Sequence, residues 1–81
     1  MANEIGILKT KEERPTLEQA QEFVGGLVEM ISPVHHRDIQ LLVNEEGWIR
    51  NMEPNKFASE MFGVGLCGPV LVLEGEARWV D

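Results

Sequence analysis

Four groups of side chains in this sequence have the types that chemistry requires: His35-His36 with Asp38 close behind, the lone Cys67, the adjacent carboxylates Glu45-Glu46, and Gly25-Gly26. Zinc is held by imidazole, thiolate and carboxylate ligands that converge on one point. Neighbours in an extended loop point in opposite directions, and no third histidine or second cysteine completes a structural site. We therefore read His35 and His36 as loop side chains and expect neither a metal nor a cofactor.

A catalytic thiol needs a base and a depressed pKa. Cys67 stands between Leu66 and Gly68 at the entrance of an apolar run, far in sequence from either histidine. It reads as a small buried hydrophobe. Glu45 and Glu46 offer the two carboxylates of acid–base catalysis, but on a turn both stay hydrated. Phosphate loops place glycines ahead of a helix, where N–H groups and the dipole attract anions. Gly25-Gly26 follows a helical pattern instead, at its negative end. No catalytic residue is expected, and the chain does not read as an enzyme.

Asn44, Asn51 and Asn55 can cap, turn or hydrogen-bond a ligand. If Asn55 caps a helix, the N–H groups behind it and Lys56 could meet a small anion. Arg50 is one of the few other cations in this half of the chain, and Trp48 and Trp79 offer stacking faces. Trp48, Arg50, Asn55, Lys56 and Trp79 are therefore the candidate ligand- or partner-binding residues, with structural capping preferred for Asn55.

The elements that must position these residues follow from periodicity and punctuation. Ile5, Ile7 and Leu8 read as an edge strand, followed by a charged connection over residues 9–14. Thr16 is a good N-cap with Gln19 as its capping-box partner and Glu18 in the first turn. Leu17, Ala20, Phe23 and Val24 form the helical stripe. Two glycines inside a helix would cost roughly 2 kcal/mol relative to alanine, whereas one just past its end suits the left-handed position. We favour a break at Gly25-Gly26 and a strand over residues 27–31. The competing reading continues one helix to Ile31.

Residues 32–38 form a loop. Ile39, Leu41 and Val43 then share one strand face, with Gln40 and Leu42 on the other. Glu45-Glu46-Gly47 predicts a hairpin turn with Gly47 at positive φ, and Trp48-Ile49-Arg50 an antiparallel return strand. Asn55 caps a short helix over residues 56–62, ended by Gly63-Val64-Gly65. Residues 69–73 are the expected central strand, closed by Gly75. In the tail from Glu76, Trp79 packs on the domain or on a neighbouring subunit. The fold class is α+β: one small sheet, mixed or mainly antiparallel, with a longer and a shorter helix on a face, in the order β-α-β-β-β-α-β.

Eighty-one residues make a single domain, and a chain of this size buries only about 60–65% of its unfolded surface. One cysteine excludes an intrachain disulfide and points to a reducing compartment. Self-association would cover the remaining apolar surface, so a homo-oligomer is expected. No apolar run approaches the roughly 20 residues of a membrane span, and Met1-Ala2-Asn3-Glu4 shows no signal-peptide pattern. A cytoplasmic protein with no membrane partner is the expectation. The net charge of −7 repels nucleic-acid backbones and suits a basic protein partner.

In order, Val24-Gly25-Gly26, then Leu42-Val43-Asn44-Glu45-Glu46-Gly47, then Pro54-Asn55, then Gly68-Pro69-Val70-Leu71-Val72 resembles a family of small domains of unknown function carried by bacteriophages and plasmids. The resemblance runs from Ile5 to Gly75 and leaves the tail from Glu76 outside the shared pattern. It implies an accessory protein of a mobile element in a bacterial host and brings no catalytic residues. Two functions follow as expectations. One is a non-enzymatic module that binds and modulates a host protein, for instance a basic one concerned with defence. The other is an oligomeric binder that sequesters a nucleotide signal.

Overall fold

Val70-Leu71-Val72-Leu73 is apolar at every position, which suits a strand covered on both faces. In the computed structural model, which describes residues 4–80, that run lies inside a four-stranded sheet. The elements are β1 (Ile5–Leu8), α1 (Leu17–Val24), β2 (Val28–Ile31), β3 (Ile39–Asn44), α2 (Lys56–Phe62), β4 (Val70–Glu74) and a 3-10 turn over Gly75–Ala77. The strand order is β1-β4-β3-β2. β1 pairs parallel with β4, while β4 with β3 and β3 with β2 are antiparallel. The α+β class, the single mixed sheet and the longer and shorter helices are as expected. Residues 1–3 and 81, including the start of the N-terminal reading and the end of the tail, lie outside the described residues.

Alternation along the two inner strands divides the core. Ile39, Leu41, Val43, Val70 and Val72 pack with Ala58 and Phe62 of α2. Leu42, Leu71 and Leu73 pack with Ala20 of α1, and Phe23, Val28 and Trp79 close over them. The helices therefore lie on opposite faces of the sheet, not on one face as expected. A doubly covered β3 and β4 have no solvated side on which polar residues could alternate.

Helix α1 begins and ends as its sequence dictates. Thr16 Oγ1 accepts from the Gln19 N–H at 3.1 Å, and Gln19 Oε1 accepts from the Thr16 N–H at 2.9 Å. Gly25 takes φ 83°, and the N–H groups of Gly25 and Gly26 both donate to the Gln21 carbonyl. The chain then enters β2, so the continuous helix to Ile31 is excluded. Ala20 and Val24 are buried, but Leu17, expected in the stripe, is exposed. It occupies the first turn, before the helix reaches the sheet.

The expected hairpin does not form at Glu45-Glu46-Gly47. Residues 45–51 wind into consecutive turns, with the Arg50 N–H donating to the Glu46 carbonyl at 2.9 Å and Met52 to Gly47 at 2.9 Å. The cause is Asn44, whose Oδ1 accepts the Glu46 N–H at 2.8 Å and turns the chain before a return strand can start. Gly47 does not adopt positive φ. A Cβ there would stand 3.3 Å from Cys67 Cβ, so close approach is what the glycine permits. β3 instead pairs antiparallel with the preceding β2, joined to it by the longer loop of residues 32–38, and on its other side with β4.

Candidate functional site

The five candidate residues do not gather at one place. Asn55 is 1% exposed and fully engaged: Oδ1 accepts from the Ala58 N–H at 3.2 Å, and Nδ2 donates to the Gly68 carbonyl at 2.9 Å. It caps α2, as preferred from sequence, and leaves no polar atom for a ligand. Lys56 follows it, exposed at the first position of the helix.

Arg50 reaches the C-terminal end of α1. Its Nη1 donates to the Gly25 carbonyl at 3.0 Å, beside the bond from Asn44 Nδ2 to the Val24 carbonyl at 3.1 Å. A cation and an amide thus bond to two of the carbonyls left at the negative end of α1. The arrangement joins the turns after β3 to the glycine break before β2.

The two tryptophans lie on opposite faces of the sheet. Trp79 packs on the α1 side of this same domain, and its Nε1 donates to the Pro15 carbonyl at 2.9 Å. Gln40 holds the Trp79 backbone from both sides, donating to its carbonyl at 2.8 Å and accepting its N–H at 2.6 Å. Arg14 adds bonds to the Glu76 carbonyl, so the tail straps the connection between β1 and α1. Trp48 stands on the α2 side, 64% exposed, above Gly65.

Cys67 is buried, and desolvation pushes its thiol above the ordinary value, opposite to what a nucleophile needs. The His36 and Phe62 rings make a T-shaped contact, at a centroid distance of 5.5 Å and an interplanar angle of 83°. Glu45 and Glu46 are exposed on their turn. Among the described residues, no three His, Cys, Asp or Glu side chains lie close enough together to hold a metal ion.

Two concavities escape a reading of the sequence, because both are assembled by residues distant along the chain. A cleft of about 310 Å³ opens between the loop after β2 and the end of α2, lined by Ile31, Pro33, Val34, His35, Phe62 and Val64. A smaller one of about 50 Å³ lies beside it, walled by Glu29, Ile31, Glu45, Trp48 and Leu66. Ile31 borders both. The only linear hint is the apolar Val34 inside a polar loop, which the fold leaves 73% exposed.

The sequence matches, over residues 3–80, the family described as Domain of unknown function (DUF3846). This chain belongs to that family. The DUF3846 match includes the tail and Trp79, which the ordered residue pattern leaves outside. The docking of Trp79 on Pro15 and Gln40 gives a physical reason: the tail is part of the domain. No curated protein and no solved structure matches the chain. Among the described residues of this DUF3846 member, no helix is long and apolar enough to cross a membrane.

Proposed function

We propose that this DUF3846 protein is a non-enzymatic accessory protein of a phage or other mobile element, acting in the host cytoplasm by binding and modulating a basic host protein. One observation carries the reading. Exposed apolar side chains stand among carboxylates on one knuckle of the surface: Trp48 and Ile49, 64% and 82% exposed, follow closely on exposed Glu45 and Glu46. Aromatic anchors with charged surroundings are what protein interfaces use. The net charge of −7 steers basic partners towards that surface and fends off nucleic acid.

The mobile-element origin rests on the ordered sequence segments and belongs to the proposal. So does self-association. Sequestration of a nucleotide is the weaker reading, because Asn55 and Arg50 are bonded within the fold while the tryptophans occupy opposite faces.

Affinity isolation of the full chain from a bacterial host, repeated across a salt series, tests the proposal. A host protein retained at low salt and released at high salt is the expected result. Thermal shift against a nucleotide panel is the counter-test, since a ligand at 100 times its dissociation constant adds about 2.7 kcal/mol. A rise in melting temperature with one nucleotide and no retained protein would overturn the proposal.

A further inference from the structure

Among the described residues, strand β2 has one neighbour in the sheet, β3. The Leu27 carbonyl accepts from the Glu45 N–H at 2.8 Å, which sets the phase of the ladder with β3. Antiparallel alternation then turns the N–H and C=O groups of Glu29 and Ile31 towards β3, and those of Val28 and Met30 outward at the sheet edge. An unpaired edge of this kind is a template for another strand.

The edge is bordered by both concavities. Glu29 and Ile31 face the α2 side, where the small pocket adds Glu45 and the Trp48 ring, and the larger cleft adds Pro33, Val34 and Phe62. A strand laid along β2 would send alternate side chains towards them. Two carboxylates and an aromatic face suit a Lys or Arg head group. The larger cleft, mostly hydrocarbon, suits an aliphatic or aromatic side chain.

We infer that the open edge of β2 is a strand-addition site for an extended segment of a partner protein, with a basic residue seated by Glu29, Glu45 and Trp48 and an apolar one seated by Val34 and Phe62. This assignment rests on the protein-binding reading above and names its surface. Charge decides between occupants. A second copy using both outward residues, Val28 against Met30, would set the two Glu29 side chains directly opposite each other, which is destabilising. A basic segment meets the same carboxylates favourably. Main-chain bonds supply the attachment and the two concavities the selectivity.

The test is selection of random short peptides on the immobilised full chain, followed by titration of the best synthetic peptide into isotope-labelled protein. Enriched peptides are expected to carry Lys or Arg an even number of positions from an aliphatic or aromatic residue. Amide signals of Val28 and Met30 should shift on binding. Affinity should fall roughly tenfold with Glu29→Lys, an exposed position that leaves the fold intact. N-methylation of the peptide backbone at alternate positions, in one of the two phases, should abolish binding. No enrichment, peptides lacking a basic residue, or indifference to both Glu29→Lys and N-methylation would overturn the assignment. If that happens while a host protein is still retained at low salt, the edge site falls and the accessory function stands. If no host protein is retained either, both fall.

Discussion

Asn55 Nδ2 donates to the Gly68 carbonyl at 2.9 Å, tying the start of α2 to the residue two places before β4. Backbone bonds from Asn55 to Leu66 and from Gly68 to Glu53 complete a short ribbon around that contact. The helix is therefore folded back on its own exit, which places Phe62 over the sheet and beside the cleft.

Replacing Asn55 tests that arrangement. Asn55→Ala removes an N-cap, about 1 kcal/mol, and leaves a carbonyl without its donor, a further loss of about 1–3 kcal/mol. Asn55→Asp keeps the capping oxygen and loses only the donor, so it should fall between wild type and alanine. Urea denaturation followed by circular dichroism measures the order.

The helix break gives a second prediction. Gly25 sits at φ 83°, and a methyl group added to its Cα would meet nothing within 4 Å, so Gly25→Ala probes backbone conformation alone. It should cost about 1–2 kcal/mol, and Gly25→Asn less. Gly6 is the opposite case: a Cβ there would lie 2.9 Å from Leu71 Cδ2 and 3.3 Å from the Phe23 ring. Gly6→Ala should destabilise by about 1–3 kcal/mol through overpacking between β1 and α1. Thermal melts of the two variants compare these costs.

The tryptophans should report different environments. Trp79, packed and bonded to Pro15, should emit at shorter wavelength and resist iodide; Trp48 should emit at longer wavelength. Single-tryptophan variants made with Trp48→Phe and Trp79→Phe separate the signals. Trp79→Phe should also lower stability by about 1 kcal/mol, for one lost hydrogen bond.

Glu13 and Cys67 each contribute to the pH dependence of stability. The Glu13 carboxylate accepts from the Lys9 and Thr10 N–H groups at 2.9 and 3.0 Å, which lowers its pKa. Its contribution is complete above the unfolded value of about 4.3 and is lost as pH falls through the lower folded value. Glu13→Gln should flatten the acid limb of the stability profile. Burial raises Cys67, so its contribution is complete below about pH 8.5 and is lost as pH rises through the raised folded value. Cys67→Ala should flatten the alkaline limb, and in the native protein the thiol should react slowly with disulfide reagents.

What is legible in the sequence follows locality. Thr16, Gln19 and Gly25 bound α1 through contacts within a few residues, and Asn55 and Gly63 do the same for α2. Such signals survive without tertiary knowledge. Glu45-Glu46-Gly47 misleads because Asn44, which decides the turn, also bonds to Val24 across the fold. Arg50 reads as available for a ligand because its partner, the Gly25 carbonyl, is 25 residues away. The clefts are hidden for the same reason: Ile31 and Phe62 meet only after the sheet and α2 have docked.

The most direct test of a basic host-protein partner is titration calorimetry between the full chain and the protein it retains, at ionic strengths of about 0.05 and 0.5 M. The account predicts binding at least roughly tenfold weaker at the higher salt, and weaker again with Glu29→Lys. Equal affinity at both salts and in both proteins would contradict it.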